Sequence, residues 1–141
     1  MARKKKERVY RTKDRTGKVY GMDKENERKQ YYIEVWPEAF VFHIRGSLGG
    51  LFDLVAIGEN VVFVEPISPS LSFPANRLEV SLIEIKAGSA AYIQTERRKF
   101  KKHCDRLPIL TGLHYLFDST VRGSGVWTSE SYPGDFETKE E

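Results

Sequence analysis

Three side chains in this sequence have types that can do hydrolytic chemistry only if they meet: Asp53 in "LFDLVAI", and Glu84 and Lys86 in "SLIEIKAG". Side chains alternate between the two faces of a strand, so Glu84 and Lys86 share one face while Ile83 and Ile85 share the other. Two carboxylates brought from neighbouring strands to one sheet edge make a hard-oxygen site suited to Mg²⁺. Such an ion activates a water and stabilises charge on a phosphodiester under attack. A lysine beside the pair orients that water or neutralises the developing charge. Taken singly, each residue has a plainer explanation: Glu84 and Lys86 as a surface ion pair, Asp53 as a strand-edge residue.

Other polar residues divide into those that fit such a site and those that do not. The loop "RGSLGG" (Arg45 to Gly50) is rich in small residues that let a backbone approach closely. Arg45 and a basic helix carrying Arg97, Arg98, Lys101 and Lys102 could hold flanking phosphates. The segment before the first strand offers Glu25, Glu27 and Glu34 as further carboxylates. His43, His103 and His114 lack the spacing of a zinc site. Cys104 is the single cysteine, which rules out an intramolecular disulfide and fits a packing role in a reducing interior. Gly123-Ser124-Gly125 reads as a hairpin turn rather than a phosphate cradle.

The elements that must position these residues follow from pattern and punctuation. "DKENERKQYYIEVW" reads as a helix with Asp23 as its N-cap, ended by Pro37. "AFVFHI" and "LFDLVAI" read as strands; "GEN" reads as a turn into a third strand, "VVFVEP". "ISPSLSFPANR" reads as a long loop or inserted hairpin tip, and "LEVSLIEIK" as the fourth strand. A basic helix is expected over 94–106 with Ile93, Phe100 and Cys104 inward, then two closing strands in "ILTGLHYLFD" and "GVWTS". The expected order is α-β-β-β-β-α-β-β, a mixed α/β sheet with helices.

The 141 residues leave room for one core, and 40% hydrophobic with 30% charged residues is ordinary for a soluble protein. Net charge is only +3, but Arg3 to Lys18 holds nine Lys or Arg against two acids. That asymmetry, with the basic helix, points to a polyanion partner. The expected organisation is a basic flexible arm at 1–22, a domain at 23–128 and an acidic disordered tail at 129–141. No apolar run approaches the length of a membrane span, and the basic N-terminus lacks the apolar stretch of a signal peptide. An intracellular place is expected, in cytoplasm or nucleoid, or in a host cell if the source is viral.

The run "RGSLGGLFDLVAI" followed by "LIEIKAG" resembles the PD-(D/E)XK nuclease superfamily, most closely its archaeal and viral Holliday junction resolvase-like branch. That branch shows an early helix with a Glu, a strand ending in Arg, a Gly-Ser loop, an Asp in the next strand, and then Glu-x-Lys. The chain offers Glu27 or a neighbour, Arg45, Gly46-Ser47, Asp53 and Glu84-Ile85-Lys86 in that order, with "YIQTERRKF" in the helix that follows. The resemblance spans about Lys24 to Phe117. It departs in having Phe52 rather than proline before Asp53, and in placing Asp53 and Glu84 31 positions apart.

What the resemblance implies is a restriction-endonuclease-like mixed central sheet flanked by helices, with an inserted loop or hairpin between the two catalytic strands. It implies Mg²⁺-dependent hydrolysis of DNA, with Mn²⁺ as a substitute, on branched or structured DNA. Asp53 and Glu84 would bind the metal with the Ile85 carbonyl, Lys86 would serve the water, and Glu27 would hold a second ion or metal-bound water. Ser47 would touch a phosphate. A homodimer is expected, with Tyr115, Phe117 and Trp127 either at its surface or in the core. Two other readings stay open: a non-catalytic DNA-binding protein on the same scaffold, and a nuclease of repair, restriction-like or single-strand specificity.

Overall fold

A computed structural model describes residues 20–44, 51–64 and 73–137. The expected arm therefore lies almost wholly outside the described residues, as do Arg45 and Ser47; residues 20–22 already belong to a helix, α1, which runs over 20–35. It is followed by β1 (Phe40–His43), β2 (Leu54–Val64), β3 (Phe73–Gly88), α2 (Ala90–Cys104), β4 (Leu113–Val121), β5 (Trp127–Tyr132) and a single turn, α3 (Gly134–Glu137). The fold is mixed α/β: one five-stranded sheet in the order β1-β2-β3-β4-β5, with only the β3–β4 pair parallel. A parallel pair needs a crossover, and α2 supplies it.

Alternation along the strands sorts the core into two layers. Ile83 and Ile85 join Leu54, Ala56 and Tyr32 beneath α1, with Trp36 packed against them. On the other face, Phe52, Tyr115 and Phe117 pack with Ile93, Phe100 and Cys104 of α2. Phe100 is the hub there, its ring 5.3 Å from Phe117 and 5.5 Å from Phe136. α2 is amphipathic at helical spacing, burying Ile93, Arg97, Phe100 and Cys104 on one side. It starts earlier than expected because Gly88 ends β3 and Ser89 caps the helix, its hydroxyl accepting the Tyr92 N–H at 3.1 Å.

Four expectations are corrected. Asp23 is not an N-cap, because α1 already begins at residue 20, and β3 begins at Phe73, inside the stretch read as a loop. "GEN" is not a turn: β2 runs unbroken through Gly58, Glu59 and Asn60 as an 11-residue strand. Gly58 is there for close approach, since a Cβ at that position would lie 2.7 Å from the Trp36 ring. Nor are residues 129–137 a disordered tail, for β5 and α3 carry the chain to Glu137; 138–141 lie outside the described residues. Phe136 is fully buried, and Glu130 is buried against Arg97. Apolar burial at Phe136 and a buried ion pair hold down a segment whose composition reads as solvated.

Candidate active site

β2 and β3 are direct antiparallel neighbours, in register from Leu54 opposite Ile83 to Val64 opposite Phe73. The long interval between Asp53 and Glu84 therefore goes into a hairpin extension that inserts no strand between them. Asp53 sits at the bend entering β2, its backbone N–H donating to Ile83 O at 2.8 Å and its carbonyl accepting from Ile44 N–H at 2.9 Å. Its side chain turns back onto β3, where Oδ2 accepts the Ile85 N–H at 2.8 Å.

Glu84 lies on the α2 face beside Asp53. Burial, then the hydrogen bond and negative charge of Asp53, push its carboxyl pKa up to about 10. Its Oε1 is buried, and no described group satisfies it. Lys86 Nζ is 4.0 Å from Glu84 Oε2 and 3.4 Å from Glu96 Oε1, so α2 supplies the second carboxylate that holds it. Burial works against the Lys86 ammonium, but the charges of Glu84, Tyr92, Glu96 and Asp53 outweigh it and raise its pKa. At neutral pH Lys86 is a cation. It can orient a water or neutralise an oxyanion, but it is no base.

Asp53, Ile85 and Lys86 line a pocket of about 330 Å³ that opens where β3 ends. α1 closes one side with Tyr20, Lys24 and Glu25, while Tyr92 and Arg122 come from α2 and the β4–β5 turn. Gly88 allows this closure, because a Cβ there would meet the Tyr92 ring at 2.8 Å.

The α1 carboxylate that lines this pocket is Glu25, not the expected Glu27. Glu25 reaches the pocket and has His43 Nδ1 3.5 Å from its Oε1. Glu27 turns to the far side of α1, where Trp127 Nε1 donates to its Oε2 at 2.6 Å and Lys24 pairs with it at 3.1 Å. Residues two apart on a helix sit about 200° apart around the axis, so both cannot face one site. Glu34 lies on the Glu27 side, bonded to Gln30.

Arg97 is also misplaced by charge pattern alone. It is buried, its Nε donates to both Glu130 oxygens at 3.0 Å, and its guanidinium stacks 4.1 Å from the Phe136 ring. It braces the core rather than meeting solvent. Arg98 and Lys102 are exposed, while Lys101 pairs with Asp105 at 3.4 Å. Tyr115 and Phe117 are core residues, and Trp127 stacks 5.0 Å from Arg28. Sequence reasoning missed Glu96, Tyr20, Lys24, Tyr92 and Arg122. Only Glu96 carried a signal, in the "ERRKF" of α2.

The donor set suits a small hard cation in part. A buried carboxylate oxygen lacking a donor, next to a second carboxylate, is a place that takes either a proton or a divalent ion. Among the described residues no three His, Cys, Asp or Glu side chains come together in a cage. Two carboxylates with a backbone carbonyl, the rest of the shell being water, is the pattern Mg²⁺ accepts.

Among the described residues no helix is long and apolar enough to cross a membrane. Compared with protein-family models, with curated proteins and with solved structures, the chain has no match.

Proposed function

We propose that this chain is a metal-dependent endonuclease that hydrolyses DNA phosphodiester bonds, acting on branched DNA in the manner of Holliday junction resolvases. The observation that carries this reading is the meeting of Asp53 and Glu84 across β2 and β3, with Glu84 Oε1 unsatisfied among the described residues, and with Asp53 and Lys86 lining an open pocket. It is supported by the resemblance of "RGSLGGLFDLVAI" and "LIEIKAG" to the PD-(D/E)XK superfamily, whose helix, Asp strand, Glu-x-Lys strand and basic helix follow the same order as α1, β2, β3 and α2.

Asp53 and Glu84, with the Ile85 carbonyl, are the residues that would hold Mg²⁺ or Mn²⁺. The ion supplies a more acidic bound water and charge neutralisation at the scissile phosphate. The Ile85 N–H fixes the Asp53 carboxylate so that the pair is ordered before substrate arrives. Lys86, held by Glu84 and Glu96, presents an ammonium to the attacking water or to the developing negative charge. Arg98 and Lys102, both exposed on α2, would contact flanking phosphates.

The test is incubation with a synthetic four-way junction and with plain duplex, in Mg²⁺ and in EDTA. Metal-dependent cutting that disappears in Asp53→Ala and Glu84→Ala supports the enzyme. Lys86→Ala should stop cutting and keep DNA binding. Binding without cutting in every metal tried would replace the nuclease by a DNA-binding protein on this scaffold. Junction preference over duplex separates a resolvase from a nuclease of other specificity.

A further inference from the structure

The pocket has a wall built for something other than a metal ion. Arg122 opens the β4–β5 turn, and its guanidinium lies over the Tyr20 ring of α1 at 4.1 Å. Stacking on an aromatic face fixes the guanidinium plane and leaves its N–H edge free to form paired hydrogen bonds. Among the described residues no carboxylate pairs with Arg122. By contrast, Arg28, Arg77 and Arg97 each have one, in Asp118, Glu79 and Glu130.

The turn that carries Arg122 is itself fixed. The Arg122 N–H donates to Gly88 O at 2.9 Å, tying the turn to the end of β3, two residues beyond Lys86. Gly123 and Gly125 take positive φ of 85° and 69°, which L side chains rarely adopt. Thr120 Oγ1 closes the loop by donating to Val126 O at 2.7 Å. A solvent-exposed arginine held by ring, strand and turn, with no counter-ion among the described residues, is poised for an anion from outside.

The charge of the pocket says which anion. Asp53 and Glu25 at the same pocket repel any small free anion, so the anion that suits Arg122 is one tethered in a polyanion that the exposed Arg98 and Lys102 of α2 also attract. Lys24, at the same wall, is already paired with Glu27. We propose that Arg122, stacked on Tyr20, is a phosphate-binding residue that grips a phosphodiester of the nucleic-acid strand next to the carboxylate pair. This rests on the nuclease reading for the identity of the strand, but its test is independent of cutting.

The experiment measures affinity for a fluorescently labelled four-way DNA junction against NaCl concentration, in EDTA, for the full chain. Arg122→Gln should weaken binding by about tenfold at moderate salt and make the log–log salt slope shallower by about one, as loss of one phosphate contact requires. Arg122→Lys should keep the slope and lose part of the affinity, because an ammonium has neither the fork nor the stacking plane. Mn²⁺ affinity of Arg122→Gln should equal that of wild type. An unchanged slope and affinity would overturn the assignment, and so would an altered Mn²⁺ affinity, since Arg122 would then act through the carboxylates. A wild type that binds DNA and cuts it in no metal sinks the nuclease while the slope still decides on Arg122. A wild type that binds no DNA overturns both.

Discussion

The Ile85 N–H donates to Asp53 Oδ2 at 2.8 Å, a side chain at the entry of β2 bonded to the peptide between Glu84 and Lys86. One contact thus sets the carboxylate of one strand against the triplet of the next. It also divides the two duties of Asp53, accepting a hydrogen bond and carrying charge. Asp53→Asn retains an oxygen that can accept from Ile85 but has no charge for a cation. Its unfolding midpoint should stay near that of wild type while Mn²⁺ affinity falls at least about tenfold. Calorimetric titration and thermal melts on the same samples check both. Equal loss of stability and metal binding would mean the hydrogen bond cannot be separated from the charge.

Glu84 makes the metal-free protein sensitive to pH in a definite direction. Its carboxyl is raised from 4.5 to about 10, by burial first and by Asp53 second. A raised pKa means the folded state favours the protonated form, so this group's contribution is fully present below the unfolded value. It is lost as pH rises toward the folded value. The metal-free unfolding midpoint should therefore fall across about pH 5 to 9 by more in wild type than in Glu84→Gln. Binding of a cation needs the carboxylate, so each ion should release close to one proton near neutral pH, about tenfold in affinity per pH unit. Mn²⁺ titrations in two buffers of different ionisation enthalpy read this directly, and no buffer dependence would contradict it.

How much of this was legible in the sequence depends on what each signal could see. The two-residue period placed Glu84 and Lys86 on one face and Ile83 and Ile85 on the other, because alternation is a property of the strand itself. The meeting of Asp53 with Glu84 was legible only as a condition, since chain separation says nothing about how a hairpin folds back. Gly58 was misread because a glycine making room for the Trp36 ring and a glycine making a turn are the same letter. The choice between Glu25 and Glu27 needed the rotation of α1, which Arg28 and Tyr32 set by both bonding to buried Asp118, at 2.7 Å and 2.6 Å. That anchor lies ninety residues away in sequence. The acidic end hid Glu130 and Phe136 for a similar reason: their partners, Arg97 and Phe100, are on another element.

Arg97 should behave as a core residue. Removing it leaves Glu130 buried without its partner, so Arg97→Ala should cost about 3–5 kcal/mol in denaturant unfolding. Arg98→Ala and Lys102→Ala, on the exposed side of α2, should change stability by no more than roughly 0.5 kcal/mol and instead reduce the salt dependence of DNA binding. A stable Arg97→Ala with weakened DNA binding would reverse the assignment.

Glu25 and Glu27 offer the sharpest comparison, since they stand two residues apart on one helix with different surroundings. Glu25 lines the pocket that holds Asp53 and Lys86. Glu27 is bonded to Trp127 and Lys24, which hold its carboxyl below the usual range. Glu25→Gln should lower metal-dependent cutting of a four-way junction by about tenfold or more, the loss expected when a carboxylate that holds a metal ion or its bound water is neutralised. Glu27→Gln should leave cutting nearly intact, because an exposed pair and one hydrogen bond to Trp127 contribute about 1 kcal/mol to stability and put no carboxylate in the pocket. Rates under single-turnover conditions with saturating Mg²⁺ distinguish the two. If Glu27→Gln proves the more damaging, α1 is rotated on the sheet relative to the arrangement described, and the partnership of Arg28 with Asp118 would have to be abandoned with it.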